Sequence, residues 1–336
     1  MFEFDQKSDL LLEKKKLTFR HNFFRDISKF SRFPKGFDGG FFHLSDEEFN
    51  CYVSQILTNN MKLGLHQQNS RILFKGCGTD DFIFSFSACN YGHLYSYKYK
   101  ISENMINIIY SHQEMATLRQ KLDSNYFLNF KDDFLNNLCE KLELLKFKEQ
   151  LYRQKIPPVM KVDGQKFNYL RQLCYQIYQL LFKITLQPSS SINPLLINHD
   201  IKQILEEEIA KTLIISLAEA TEIKPKKQQI NRSNTLKKAE EFYFSNLRAD
   251  ITTQDLCQEL KISRRALEYI FKDYYQMSPK NYFKYLRLNA LHQELQKKEQ
   301  QENLREIAEK FGFYHRGRLA KDYHQLFGKF PSETNT

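Results

Sequence analysis

Short apolar runs alternate with turn residues in the first third of the chain, which predicts strands. The runs RILFKG, FIFSFSA, HLYSYKYKI and NMINIIYS are rich in β-branched and aromatic residues, and GCGTDD, CNYG and SEN separate them. LYSYKYKI alternates as a strand with one solvated face does. Ahead of them, DEEFNCYVSQILTNN predicts a helix with Asp46 and Glu47 near its start. We therefore expect a β-rich domain over residues 1–135, folded as a small antiparallel barrel or sandwich.

The apolar positions change to helical spacing from about residue 132. Phe134, Leu138, Leu142, Leu145 and Leu151 predict one helix to about residue 155, and Pro157 and Pro158 stop it. FNYLRQLCYQIYQLLFKIT (167–185) predicts a second helix, and LLINHDIKQILEEEIAKTLIISLAEA (195–220) predicts a third. The apolar stripes of this helical region, 136–221, fit an intramolecular core, which is the favoured interpretation. A dimerisation bundle, and hence a homodimer, stays open, because more apolar positions occur than one small domain buries.

The segment EIKPKKQQINRSN has no apolar period, so residues 222–233 are expected to form a linker. An all-α domain is then expected over residues 234–336, with Asn234 as the N-cap of its first helix.

An imperfect duplication fills the last hundred residues. The apolar positions of LCQELKISRRALEYIFKDYYQMSP (256–279) recur in IAEKFGFYHRGRLAKDYHQLFGKFP (307–331), first with an offset of 51 and then of 52. Each copy predicts a helix, a tight turn and a helix, with Gly312 suited to the second turn and Lys261 strained in the first. SPKNYFKYLRLNALHQELQKK (278–298) predicts one connecting helix. Its length of roughly 30 Å is close to one turn of B-DNA, roughly 34 Å.

The second helix of each copy carries long polar side chains opposite its apolar face. They are Arg264, Arg265 and Glu268 in the first copy and His315, Arg316, Arg318 and Lys321 in the second. Long donors in the N-terminal half of such a helix reach base edges in the major groove. The pattern predicts that the two helices read two successive major grooves of double-stranded DNA.

Composition and motifs narrow the classes of function. The formal charge of +10 and the pI of about 9.1 favour a polyanionic partner, but only weakly. Six cysteines without a CxxC pair and an N-terminus unlike a signal peptide predict a reduced, cytoplasmic protein. No uncharged apolar run approaches the roughly 20 residues of a membrane span. Without HExxH, P-loop, GxGxxG or nucleophile-elbow motifs, we expect no enzyme, cofactor or metal site.

Residues 234–336 resemble the DNA-binding domain of AraC/XylS-type transcription regulators. The likeness runs through LCxxLxISRRALxYIF, SPxxYxxxLRLNA, IAxxFGF and FGxxPS. The ending GFxHxGxxAxDYxxxFGxxPSET is similar to the subgroup that includes the ethanolamine-operon regulators. The resemblance implies a sequence-specific regulator, more often an activator, with two helix-turn-helix units and RNA polymerase as a partner.

The resemblance also implies roles for individual positions. Base reading falls on Arg264, Arg265, Glu268 and Tyr269 in the first unit, and on Arg316, Gly317, Arg318, Ala320 and Lys321, with His315 beside them, in the second. Phosphate contacts are expected from Lys272, Lys280, Arg287 and Lys329. Lys261, Gly317 and Leu319 depart from the small residue, the Ser and the Phe frequent at these positions, which affects the base contacts and not the fold.

Two further interpretations stay open at this stage. The aromatic residues on the candidate strands fit an ordinary barrel core, which is favoured, or a pocket for a small-molecule or protein effector; they are Phe74, Phe82, Phe84, Phe86, Tyr95, Tyr97 and Tyr99. The alternative function is a protein-interaction adaptor that uses the helical hairpins without binding DNA.

Overall fold

The strands of the protein form two antiparallel sheets. The structure is a computed structural model that describes residues 10–14, 17–33, 37–78, 82–89, 94–96, 99–186, 202–297 and 303–334. The nine-stranded sheet has the order β1-β2-β4-β5-β12-β7-β10-β13-β14, and the five-stranded sheet has the order β3-β6-β11-β8-β9. The strands are β1 Leu10–Lys14, β2 Leu17–Phe24, β3 Phe37–His43, β4 Cys51–Leu57, β5 Met61–Gln68, β6 Ile72–Gly78, β7 Phe82–Ser87, β8 Leu94–Ser96, β9 Tyr99–Ile101, β10 Met105–Tyr110, β11 Met115–Arg119, β12 Ser124–Phe130, β13 Val159–Lys161 and β14 Thr221–Glu222.

Helices follow the β-rich region and make up most of the rest of the chain. They are α1 Ile27–Ser31, α2 Asp132–Lys141, α3 Leu145–Tyr152, α4 Gly164–Leu186, α5 Ala210–Ala218, α6 Lys227–Ser245, α7 Thr253–Leu260, α8 Arg264–Tyr275, α9 Pro279–Leu295, α10 Leu304–Lys310 and α11 Arg316–Phe327. A π-helical turn, Ile204–Ile209, leads into α5, and a 3₁₀ turn, Pro331–Glu333, follows α11.

The β-rich prediction for the first region is confirmed, but two of its segments are folded differently. HLYSYKYKI contains two short strands, β8 and β9, which pair with each other instead of forming one strand. DEEFNCYVSQILTNN contains the strand β4 and not a helix. β4 pairs with β2 on one side and β5 on the other, and most of its side chains are buried. A strand covered on both faces loses the alternation by which a strand is recognised.

Within the described residues neither sheet closes on itself, so of the two expected forms the barrel is not confirmed, and the two open sheets pack against each other as a sandwich. Phe37 of β3 meets Phe127 of β12 between the sheets, with ring centroids 6.2 Å apart. The opposite face of the nine-stranded sheet is covered by the middle helices, whose Leu170 and Leu213 share a core with Phe84. Phe82, Phe84 and Phe86 thus pack towards helices, while Tyr97 and the side chain of Tyr95 lie outside the described residues.

The helices of the middle region differ in detail from their predictions. The stretch 132–155 contains two helices, because Glu143 adopts a left-handed conformation (φ 57°) and Leu144 N–H donates to Cys139 O at 2.8 Å. The second predicted helix is confirmed as α4. Of the third, the described part is helical, and residues 195–201 lie outside the described residues. The favoured intramolecular core is present, since these helices share one core with the sheet.

The segment expected as a linker is largely helical. α6 begins at Lys227 and not near Asn234, and the Gln229 side chain caps it by accepting from Lys226 N–H at 2.8 Å. Arg232, inside the supposed linker, pairs with Asp273 at 3.0 Å and lies over the ring of Tyr269. Such tertiary contacts are not visible as an apolar period. The domain limits themselves stay predictions.

The duplicated region forms two helix pairs joined by a connecting helix, α9. The first pair is α7 and α8, and the second pair is α10 and α11. Lys261 takes the left-handed conformation (φ 53°) in the first turn, and Gly312 (φ 76°) takes it in the second. The predicted connecting helix is confirmed, with Ser278 as its N-cap and Pro279 in its first turn.

Candidate DNA-binding surface

Burial of one face orients the second helix of each pair. In α8 the buried residues are Leu267, Phe271, Tyr274 and Tyr275, and in α11 they are Leu319, Tyr323 and Leu326. Both sets enter the core shared with the connecting helix. The polar side of each helix therefore faces outward.

Ten positions are predicted to read bases; among them Gly317 is exposed and Ala320 is half-buried, while the other eight carry long side chains that are all exposed to solvent. They are Arg264, Arg265, Glu268, Tyr269, His315, Arg316, Arg318 and Lys321. The side chains of Arg264 and Arg318 retain 71% and 74% of their accessible surface. Exposure is required for contact with DNA, but it does not by itself test the base-reading role, which stays a prediction.

A groove of 550 Å³ separates the two helix pairs. Arg264 of the first pair and His315 and Arg318 of the second pair all line it. Every lining residue lies between 243 and 322, so the β-rich region does not line the groove. The helices α8 and α11 thus present arginines to one common opening. Arg265, Glu268, Tyr269, Arg316 and Lys321 are not among its lining residues.

A carboxylate lies beside each of the two arginines that line the groove on the second helices, Arg264 and Arg318. Arg264 Nε lies 2.9 Å from Glu268 Oε1 on its own helix. Arg318 Nε lies 4.0 Å from Asp322 Oδ2, and the other oxygen of Asp322 accepts from Lys284 Nζ at 3.0 Å. Exposed pairs of this kind contribute little to stability. They hold long side chains in one direction and can exchange partners.

The four residues predicted to contact phosphate are placed differently from one another. Lys272 and Lys280 are exposed. Arg287 donates to the carbonyls of Leu247 and Ala249 and lies over the ring of Phe283 at 4.1 Å, and burial lowers the pKa of its guanidinium. Lys329 donates to Asp26 Oδ2 at 2.9 Å. Arg287 and Lys329 are thus engaged within the protein, and a phosphate would have to compete for them.

Two residues of the groove, Lys284 and Asp322, were not singled out from the sequence. Lys284 stands four residues after Lys280, and Asp322 stands four residues after Arg318. Residues four apart share a helix face, so this spacing could have indicated both. Their contact with each other across two helices could not be seen in the sequence.

The described part of the chain contains neither a candidate metal site nor a candidate membrane-spanning helix. Among its residues, no group of three or more His, Cys, Asp and Glu side chains could hold a metal ion. Likewise, no helix in the described ranges is long and apolar enough to cross a membrane.

Comparison with known proteins connects this surface to one family of domains. The model of the helix-turn-helix domain family matches residues 256–336. XylDLEGF operon transcriptional activator 1 of Pseudomonas putida is 31% identical over 97 residues, which are 28% of this chain and 29% of that protein. Regulatory protein HrpB of Ralstonia nicotianae is 30% identical over 100 residues, 29% of this chain and 21% of that protein. The chain thus matches less than a third of the length of these relatives.

Two solved structures are similar to parts of this chain. An AraC-type regulator from Chromobacterium violaceum is 28% identical and covers 31% of this chain and 92% of its own, with a TM-score of 0.29. The AraC-like activator CuxR is 12% identical and covers 72% of this chain and 80% of its own, with a TM-score of 0.35. The match to the helix-turn-helix domain family covers residues 256–336, the region of the two helix pairs.

Proposed function

We propose that this chain, whose C-terminal region is an AraC-type helix-turn-helix domain, is a sequence-specific transcription regulator and acts as an activator. The observation that carries the proposal is the match of residues 256–336 to that domain. The relatives that share it include transcriptional activators. Two exposed arginine-bearing helices beside one open groove support it.

In the proposed complex, α8 and α11 enter successive major grooves of one duplex. The connecting helix has 17 residues and so a length of roughly 26 Å, which suits two helices on the same side of DNA. Lysines, arginines and backbone amides supply most of the affinity through phosphates, with a strong dependence on salt. Arg265 and Arg318 read bases, most naturally guanines, each worth roughly 1–3 kcal/mol of discrimination.

The test begins with a duplex selected from random sequence by the full chain. Arg318→Ala is expected to keep the fold and to relax the preference at one position of the second half-site. Arg153→Ala is the matched control, because Arg153 is an exposed arginine at the C-cap of α3, outside the helix pairs. Footprinting and titration of both variants measure the effect. An unchanged site and affinity in Arg318→Ala would contradict the role assigned to Arg318.

The same binding experiment separates a regulator from a protein-interaction adaptor. A regulator shifts DNA fragments with an affinity that falls steeply as salt rises. An adaptor that uses the helix pairs to bind protein gives no such shift.

Partners other than DNA are part of this proposal. An activator contacts RNA polymerase, and a homodimer would use the face of α4 that exposes Tyr169, Tyr175 and Leu180. For an effector, a cavity of 340 Å³ lies where Tyr99 and Met115 of the sheets meet Asn234 and Lys237 of α6. A ligand there would touch both the β-rich region and the first helix of the C-terminal region. Thermal-shift screening of the full chain tests for such a ligand.

A further inference from the structure

An exposed tyrosine stands on the polar side of α8. Tyr269 retains 57% of its accessible surface and is one of the residues predicted to read bases. An aromatic side chain that is free to rotate must be fixed when it binds a base, and this ordering costs free energy. A neighbour that already fixes the ring in the unbound protein lowers the cost. The contacts of Tyr269 within the protein therefore bear on how well it distinguishes bases.

Arg232 of α6 makes such a contact with the Tyr269 ring. Its guanidinium carbon lies 4.8 Å from the ring centroid, and its Nη1 lies 3.0 Å from Asp273 Oδ2. Tyr269 and Asp273 are four residues apart on α8, so they lie on one face of that helix. A planar guanidinium can stack on a ring while it donates to a carboxylate. Asp273 thus fixes Arg232, and Arg232 fixes the ring.

The helix that carries Arg232 is itself held against α8 by buried contacts. Glu240 of α6 has no exposed side-chain surface and accepts a hydrogen bond from the Tyr275 hydroxyl of α8. The rings of Tyr243 of α6 and Phe271 of α8 are both buried, with centroids 6.2 Å apart. Arg232 is therefore presented to α8 from a packed helix and not from a loose segment.

We propose that Arg232 is a positioning residue for base recognition, which holds the Tyr269 ring in the orientation that reads its base. The inference rests on the proposed function and adds a specificity-determining residue to it. Arg232 lies outside residues 256–336, the region that matches the helix-turn-helix domain family. Part of the specificity of the first pair thus comes from the helix that precedes it. Arg232 acts through the ring and does not itself contact DNA.

The first experiment measures the base preference of the full chain, Arg232→Lys and Arg232→Met at each position of the selected duplex. Lysine keeps the charge but cannot stack as a plane, and methionine loses both properties. Both variants are expected to lower discrimination at one base pair of the first half-site about threefold. Arg232→Lys keeps the wild-type slope of log affinity against log salt. The matched control is Arg153→Lys, an exposed arginine paired with Glu149 at 3.1 Å, and it changes neither quantity.

The second experiment tests whether Arg232 acts through Tyr269, by a double-mutant cycle. Tyr269→Ala is expected to lower discrimination at the same base pair, and Arg232→Lys is expected to lower it no further in that background. Urea denaturation of each variant measures the free energy of unfolding alongside. A purely structural role of Arg232 would lower that free energy and weaken binding to every sequence equally, without changing the preference at one base pair.

The outcomes separate the inference from the proposed function. A wild-type chain that does not bind DNA with sequence preference overturns both. If the wild-type chain binds specifically, unchanged base preference in Arg232→Lys and Arg232→Met overturns this inference alone. An effect of Arg232→Lys that persists in full in the Tyr269→Ala background also overturns it, because Arg232 would then act without the ring.

Discussion

Both helix pairs consist of a helix, a tight turn and a second helix, but different contacts hold the second helix of each pair. In the first pair, Ser263 caps α8 by accepting from Ala266 N–H at 3.2 Å, and Arg264 is paired with Glu268 of the same helix. In the second pair, His315 makes no side-chain cap bond, and Arg318 shares Asp322 with a lysine of the connecting helix. The N-terminal end of α8 is thus held by neighbours in sequence, whereas that of α11 depends on a tertiary contact.

The pairs also differ in how they are attached to the β-rich region. Glu240, packed with the first pair, has no exposed side-chain surface and pairs with Lys75 of β6 at 3.3 Å. Beyond the second pair, Lys329 meets Asp26 at an interface where both side chains remain partly exposed. Burial raises the pKa of Asp26, but hydrogen bonds from His292 and Lys329 outweigh it and hold that pKa well below its usual value. The first anchor to the β-rich region, the pair Lys75–Glu240, is therefore buried, and the second anchor, the pair Lys329–Asp26, is partly solvated.

The largest expected effect comes from removing the lysine of each anchor. Lys75→Met removes the ammonium group that pairs with the buried carboxylate of Glu240, which keeps the hydrogen bond from the Tyr275 hydroxyl, and should lower the free energy of unfolding by about 3 kcal/mol. Lys329→Met should cost about 1 kcal/mol, because solvent screens the remaining Asp26. Urea denaturation of both variants measures the difference. Equal losses would show that the two anchors are alike.

A pH dependence is expected where the connecting helix, common to both pairs, meets the sheet. Asn289 accepts from His43 N–H at 3.0 Å and donates to His43 O at 2.9 Å. Burial lowers the pKa of His43 from 6.5 to about 4. Between these values the unfolded chain binds a proton that the folded chain does not, so stability falls as the pH falls. At pH 4.5 this loss should be about 2 kcal/mol relative to pH 7.

The variant His43→Gln isolates this contribution. Its free energy of unfolding, measured in urea at pH 7 and pH 4.5, should fall less than that of the wild-type chain. Some loss remains, because burial also lowers the pKa of His292. The same loss in variant and wild type would argue against His43 as the titrating group.

A smaller effect is expected from the carboxylate that distinguishes the second pair. Asp322→Asn releases Arg318 and Lys284 and adds one net positive charge to the groove. Binding to scrambled DNA should strengthen, while discrimination at the second half-site should fall by about 1 kcal/mol. Asp250→Asn is the control, since it makes the same charge change in the same groove and, within the described residues, Asp250 forms no ion pair with Arg318. Competition binding should show that Asp250→Asn binds scrambled DNA more tightly without losing discrimination. If Asp250→Asn loses as much discrimination as Asp322→Asn, then the loss does not come from a change in the orientation of Arg318.

The smallest effect concerns the two turns. Lys261→Gly should raise the free energy of unfolding by about 0.5 kcal/mol, since glycine relieves the left-handed strain but loses more entropy on folding. Gly312→Ala should lower it by about 1 kcal/mol, with added crowding at Arg287. Thermal unfolding of both variants measures whether the two changes in the free energy of unfolding have opposite signs. Changes of the same sign would mean that the two turns are not equivalent.

The predictions from sequence succeeded and failed for identifiable physical reasons. The helix pairs, the connecting helix and the left-handed turns were predicted because their signals are local, as in the turn glycine Gly312. The strand β4 was missed because burial of both of its faces removed its alternation. The early start of α6 was missed because Arg232 is held by Asp273, which is 41 residues away.

Local order and the exposed faces of α8 and α11 were determined by the sequence itself, since apolar spacing, caps and turn residues act within a few positions. Only the tertiary structure decided that Arg264 and Arg318 open into one groove, that Asp322 is held by Lys284, and that a sheet anchors both pairs. These features depend on distances between elements far apart in the chain. No local pattern encodes such distances, because burial and charge pairing are set only when the elements pack.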